Sequence, residues 1–275
     1  LLFRLLGKQH ESVRGVCDDD AWVMQQFTEM LHVPRYTLIK TCPLGDNDDF
    51  QFHPLIYEEK MYSQYDSDIR VTNCNDDSLI TTLTGHTSDV WCLIIDDGKL
   101  YSGSDDSTIK IWNCSTDTLI KTLTGHTDSV ECLTISDGTL YSGGGSYTAG
   151  EINIWNCSNH ELITTLGVPE EHDVEGEYEG HTSPVWCLTI NDGKLYSGSY
   201  EDNSIMVWNC SNHELITTLG VPEEHDEEGV YEGHTDVVWC LTINDGKLYS
   251  GSWDKTIKVW DCSTNKLITT LTEHT

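Results

Sequence analysis

Gly85-His86-Thr87-Ser88-Asp89-Val90-Trp91-Cys92-Leu93 opens a unit that runs on through Asp97-Gly98-Lys99-Leu100-Tyr101-Ser102-Gly103-Ser104 to Thr108-Ile109-Lys110-Ile111-Trp112-Asn113. The unit begins again at Gly125, Gly180 and Gly233. Its Gly-His histidines, His86, His126, His181 and His234, stand 40, 55 and 53 residues apart, and His274 follows 40 later. A fixed period decides the architecture, because a unit this small cannot bury its own apolar face and must stack on its copies. The two longer gaps hold extra loop. Within one unit, β-rich runs at residues 90–95, 100–103, 108–112 and 119–123 alternate with Asp97-Gly98, Asp105-Asp106-Ser107 and Ser115-Thr116-Asp117. Short apolar runs bounded by such turn residues predict four antiparallel strands per unit.

The first 84 residues carry the same pattern in worn form. Lys60-Met61-Tyr62-Ser63 stands where Lys99-Leu100-Tyr101-Ser102 stands, Asp68-Ile69-Arg70-Val71 replaces a third strand without its Trp, and Ser78-Leu79-Ile80-Thr81-Thr82-Leu83 is an intact fourth. Further back, His10-Glu11-Ser12-Val13 resembles His126-Thr127-Asp128-Ser129-Val130, and Thr37-Leu38-Ile39-Lys40-Thr41 copies Thr118-Leu119-Ile120-Lys121-Thr122. Residues 1–6 read as the fourth strand of a preceding unit, and Glu273-His274-Thr275 opens a unit that is not completed. With Leu rather than Met at position 1, both ends are expected to be cut ends.

Composition narrows the partners. The 15 Lys and Arg against 46 Asp and Glu give a formal net charge of −31, which repels phosphate backbones and anionic lipid. No run approaches the 18 apolar residues of a membrane helix. Nucleic acid and membrane are therefore not expected as partners. Arg occurs only at positions 4, 14, 35 and 70, so no Arg cluster is available to read phosphopeptides. No Gly-rich phosphate loop and no His-Glu-x-x-His occurs, and neither an enzyme nor a cofactor is expected.

Gly-His near the start of the unit, Trp112-Asn113 or Trp260-Asp261 near its end, and four strands in about forty residues resemble the WD40 family, strongly over residues 85–275 and weakly before them. The resemblance implies an all-β propeller forming a single domain over 1–275: an outer strand of a closing blade at 1–7, two degenerate blades at 8–84 and four well-formed blades at 85–275. Six recognisable blades plus a stray outer strand leave two closures open. One is a seven-bladed ring whose last blade is finished beyond Thr275 or by another chain, and the other is a six-bladed ring.

The family's internal hydrogen-bond chain implies a structural network of His86, Ser102, Asp106 and Trp112; of His181, Ser197, Asp202 and Trp208; and of His234, Ser250, Asp254 and Trp260. The unit from Gly125 has His126, Ser142 and Trp155, but residues 143–150 supply no Asp, so its network is expected to be incomplete. A recurrent His, Ser and Asp invites comparison with a hydrolase triad, yet a Trp-capped set repeated in unit after unit reads as buried polar structure.

Eight of the eleven cysteines occupy two repeated places: Cys92, Cys132, Cys187 and Cys240 in first strands, and Cys114, Cys157, Cys210 and Cys262 after third strands. First and third strands of one sheet lie roughly 10 Å apart, beyond the roughly 7 Å Cα separation that a disulfide tolerates. Free, half-buried thiols and a cytoplasmic location are expected. The alternative is secretion, where Asn-Cys-Ser at Asn113, Asn156 and Asn209 would accept glycans. No Cys-x-x-Cys pair offers a zinc site, and no metal is expected.

Two long connections, residues 169–179 and 222–232, carry six carboxylates each in eleven residues. They read as solvated acidic loops, with docking of a basic partner or binding of a cation as alternatives; residues 156–173 and 209–226 are identical, the mark of a copied segment. The family's contact positions lie on the Gly-His face and would here be Trp91, Glu131, Trp186 and Trp239, with Asp89, Asp105, Glu201 and Trp253. Aromatics ringed by acids resemble the centre and rim of a protein interface, and packing of these Trp side chains between neighbouring units is the alternative. The resemblance thus implies a non-catalytic scaffold that holds a basic or mixed-charge peptide or domain. The alternative is a structural subunit that self-assembles by completing blades between neighbouring chains.

Overall fold

The computed structural model describes residues 54–167, 180–220 and 231–272. The readings made for residues 1–53, for most of both acidic connections and for residues 273–275 lie outside these. Among the described residues there is no helix, and twenty strands form five four-stranded antiparallel sheets.

The first sheet consists of β1 (Leu55–Tyr57), β2 (Lys60–Tyr65), β3 (Asp68–Asn73) and β4 (Leu79–Leu83); the second of β5 (Val90–Asp96), β6 (Lys99–Ser104), β7 (Thr108–Asn113) and β8 (Thr118–Thr124). The third contains β9 (Val130–Ser136), β10 (Thr139–Ser146), β11 (Ala149–Asn156) and β12 (Leu162–Leu166). The fourth contains β13 (Val185–Asn191), β14 (Lys194–Ser199), β15 (Ile205–Asn209) and β16 (Leu215–Thr218); the fifth, β17 (Val238–Asn244), β18 (Lys247–Ser252), β19 (Ile257–Asp261) and β20 (Leu267–Leu271). In each sheet the strands lie in chain order.

Local chemistry explains the meander. Asp97-Gly98, Asp137-Gly138, Asp192-Gly193 and Asp245-Gly246 all have positive φ at both residues, the backbone that a tight hairpin with the right-handed strand twist demands. The worn first sheet keeps its strands although Thr72 faces Met61 where Trp112 faces Leu100. Its first strand is only three residues long.

The core lies between sheets, not within one. Tyr101, Ile109, Ile111 and Leu123 of the second sheet close on Val130, Leu140, Trp155 and Cys157 of the third, and equivalent clusters fill the other three junctions. First strands neighbour one another in sequence, β1 with β5, β5 with β9, β9 with β13 and β13 with β17. This is the order of a propeller, with β1, β5, β9, β13 and β17 innermost and β4, β8, β12, β16 and β20 outermost.

Close approach at the junctions depends on missing methyl groups. A Cβ on Gly103 would lie 2.6 Å from both Cys92 Sγ and Val130 Cγ1, and Gly143 and Gly198 face the same pair of neighbours in the next two junctions. The thiols of Cys92, Cys132 and Cys187 point to the carbonyls of Val130, Val185 and Val238 in the following sheet, at 3.6, 3.4 and 3.5 Å. Polar ties add to this packing, Lys60 Nζ donating to the Asp117 carboxylate and to Cys114 O, and Lys194 Nζ to Cys262 O. Cys92 and Cys210 are half-buried as expected, whereas Cys114, Cys132, Cys157, Cys187 and Cys262 are buried more deeply, because each closes a junction, and Cys240 is exposed.

Candidate functional site

The recurring polar set lies just under the Gly-His face. In the second sheet Trp112 Nε1 donates to Ser102 Oγ at 3.0 Å, Ser102 Oγ meets His86 Nε2 at 2.8 Å, and His86 Nδ1 meets Asp106 Oδ2 at 2.8 Å. The fourth sheet repeats the chain through Trp208, Ser197, His181 and Asp202, and the fifth through Trp260, Ser250, His234 and Asp254, with every contact between 2.7 and 3.0 Å. Burial holds His86 and His234 below their ordinary pKa, so the rings are neutral and donate through Nδ1 to the carboxylate. Burial opposes ionisation of Asp202, but bonds from His181 and Ser204 outweigh it and hold the carboxyl at about 2.

The expectation of an incomplete network in the third sheet is corrected. Glu151 meets His126 Nδ1 at 2.7 Å and accepts the Thr127 N–H at 2.8 Å, while Trp155 and His126 meet on Ser142 as elsewhere. The acid comes from inside β11, not from a turn. β10 and β11 extend over the Gly-rich stretch, pairing Gly144 with Glu151, and the longer side chain covers the difference. All four serines are fully buried. Each hydroxyl is engaged on both sides, so it is positioned as a bridge and not as a nucleophile.

Above this layer, the second residue of each inner strand and the residue following each second strand form the face. Trp186 stacks on Tyr200 with ring centroids 5.1 Å apart, Trp186 meets Trp239 at 4.7 Å, Trp239 stacks on Trp253 at 5.5 Å, and Tyr147 packs edge-on against Tyr200 at 6.3 Å. Five rings thus form one continuous row across three sheets. Tyr147, Trp239 and Trp253 are 74%, 37% and 56% exposed, so the row is a surface feature and not a seam sealed between sheets.

The sequence does not single out Tyr147 and Tyr200, and it is Tyr200, not Glu201, that stands where Asp105 and Trp253 stand. The N–H groups of Asp105, Tyr200 and Trp253 bond to the carbonyls of Asp89, Pro184 and Val237, which makes these three residues equivalent. The fourth unit has one extra residue before its turn Asp, so counting back from Asp202 lands on Glu201 while counting forward from β14 lands on Tyr200. Glu201 remains exposed beside the row. Comparing Gly-Ser-Tyr at 198–200 with Gly-Ser-Trp at 251–253 would have revealed it.

Trp91 does not join the row; its Nε1 donates to Asp105 Oδ1, with Asp89 exposed nearby in the sequence. Glu131 separates Trp91 from Trp186 in the order of inner strands and accepts a bond from Ser129 Oγ. Its burial, with the charges of Asp105 and Asp128, raises its pKa despite that bond. The face therefore divides into an acidic part on the second and third sheets and an aromatic part reaching from the third to the fifth.

Residues 77–113, 117–156, 173–209 and 226–261 match the family model of the WD domain, G-beta repeat, over more than half of the chain. The chain belongs to the WD40-repeat family. Over 108 residues it is 39% identical to an uncharacterized WD repeat-containing protein of Schizosaccharomyces pombe, covering 35% of this chain and 26% of the relative. It is 35% identical over 100 residues to the small ribosomal subunit protein RACK1 of Neurospora crassa, covering 34% and 29%. The F-box/WD repeat-containing protein 9 of Homo sapiens is 34% identical over 90 residues, covering 30% and 18%. The match spans less than a third of each of these relatives. WD40 repeats serve as protein-interaction scaffolds, and this chain carries four stretches that match the repeat.

Proposed function

We propose that this WD40 protein is a non-catalytic scaffold that holds a basic or mixed-charge segment of a partner protein on its Gly-His face. The observation that carries the reading is the five-ring row from Tyr147 to Trp253, on the same face as Asp89, Asp105, Glu131 and Glu201 by their places in the repeat. Exposed aromatics in contact with one another supply a large apolar area at small cost in side-chain entropy, the usual centre of an interface. Glu131, whose ionisation is disfavoured by burial and by two neighbouring carboxylates, would be relieved by an incoming cation. The buried, doubly bonded serines support a non-catalytic role. Thiols buried at the junctions support a reducing compartment such as the cytoplasm.

Selection of a random peptide-display library on the immobilised chain tests the reading. Peptides combining Lys or Arg with apolar residues are expected to be enriched. Their binding should weaken by at least about 2 kcal/mol, roughly thirtyfold, in the Trp186→Ala, Trp239→Ala, Trp253→Ala triple variant. Enriched peptides that bind this variant as tightly as the parent overturn it.

A further inference from the structure

The perimeter carries a second repeated surface that the Gly-His face does not explain. In every sheet the pairing of third and fourth strands slips at the same point: Val71 faces Thr81 but Thr72 faces Leu79, leaving Ile80 as the extra residue of a bulge. Ile120, Ile163, Ile216 and Ile268 occupy the equivalent bulge in the other four sheets. All five isoleucines are 42–49% exposed, and Leu79, Leu119 and Leu162 beside them are exposed too. A bulge on an edge strand twists it away from further pairing, and edges of this kind are ordinarily blunted with charge. Here the bulge instead pushes a β-branched apolar side chain outward, five times over.

Charge placement sets these strands apart from the rest of the molecule. In a chain of net charge −31, strands β4, β8, β12, β16 and β20 contain no Asp or Glu, and their only charged residue is Lys121. The nearby acids Asp76, Asp77, Glu161 and Glu214 precede the strands and are exposed there.

We propose that the perimeter is a self-association surface on which a second copy of this chain lies side by side with the first, fourth strand against fourth strand. The isoleucine knobs and their neighbouring leucines interleave between the two copies. Charge selects this occupant. Contact through the acidic faces would set carboxylates against carboxylates, whereas an antiparallel arrangement of two fourth strands sets the start of each, acidic in every sheet but the fifth, where Asn265-Lys266 precedes β20, against the acid-free Thr-Leu end of the other. That arrangement is isologous, the self-complementary geometry of a two-fold dimer. A basic partner would find no counter-charge on these strands. The bulge confines any backbone pairing to the second half of the strand, so the contact rests mainly on side chains. The inference is independent of the Gly-His face.

Sedimentation velocity of the whole chain tests it. Raising salt from 0.1 M to 1 M shortens the screening length from about 10 Å to about 3 Å, so self-association should strengthen with salt, opposite to the capture of a basic ligand. The fivefold variant I80T, I120T, I163T, I216T, I268T should lose association at both salts, and the triple Trp variant should associate like the parent. If the fivefold variant fails to fold by circular dichroism, the I120T, I163T pair is read instead and should reduce association. A parent that stays monomeric at high salt overturns the proposal. So does a folded isoleucine variant that associates as the parent does, which would place assembly elsewhere, as blade completion requires.

Discussion

In the second sheet Trp91 gives its indole N–H to Asp105; in the fifth, Trp239 at the same place in the inner strand stacks on Trp253 at the same place after the second strand. Beneath these residues the two sheets are nearly indistinguishable: each has the same Trp, Ser, His and Asp chain, with distances that differ by little more than a tenth of an ångström. One framework thus carries either an acid that ties down its tryptophan or a second aromatic that leaves it available. The choice at one position, Asp105 or Trp253, changes the surface without touching the support.

If the framework is common, its removal should cost both sheets alike. Trp112→Ala and Trp260→Ala, each emptying a buried junction, are expected to lose about 3–5 kcal/mol in urea unfolding. A gap between them larger than about 1 kcal/mol would break the equivalence.

A smaller effect comes from the carboxylates that both sheets share with the third and fourth. Asp106, Asp254, Glu151 and Asp202 all titrate below their ordinary values, so each contributes stability above its unfolded pKa that is lost as pH falls through the folded one. Asp202 alone, moving from 3.8 to about 2, accounts for about 2 kcal/mol. His86 and His234, held below 6.5 by burial, favour the unfolded chain once pH drops beneath that value. Stability measured against pH should therefore begin to decline below 6.5 and fall again between 3.8 and about 2. A profile unchanged across both windows contradicts the network.

The smallest effect sharpens the contrast at the surface. Trp239→Ala removes two ring pairs, each worth about 0.5–1.5 kcal/mol beyond burial, and should abolish the coupled indole signal in near-ultraviolet circular dichroism. Trp91→Ala should leave that signal in place, since Trp91 stands outside the row.

What the sequence made legible follows from range. The period, the Asp-Gly hairpins and the strands are local, and they appear where the residues place them, one residue longer at most ends of the second sheet. Three networks were legible because the Asp stands at a fixed turn position. Glu151 was not, because its carboxylate arrives from a strand that becomes opposite only once Gly144 has been paired. The aromatic row was half legible. Trp186, Trp239 and Trp253 fall on repeat positions, but Tyr147 and Tyr200 gain their meaning from rings in neighbouring sheets, and an extra residue shifts the count at Tyr200. The isoleucine bulges were invisible for the same reason, since exposure of a β-branched residue is a property of the edge and not of its letter.

Gly103, Gly143 and Gly198 leave one further consequence. The last three junctions are each set by the clearance of a single hydrogen atom, so these residues gauge the curvature from the second sheet to the fifth. Were a copying event to install alanine at one of them, the next sheet would tilt outward and every later sheet would inherit the misalignment. The identical segments 156–173 and 209–226 show how readily such a chain lengthens by duplication. In a structure that grows by repetition, the smallest side chain sets how much error the whole can absorb.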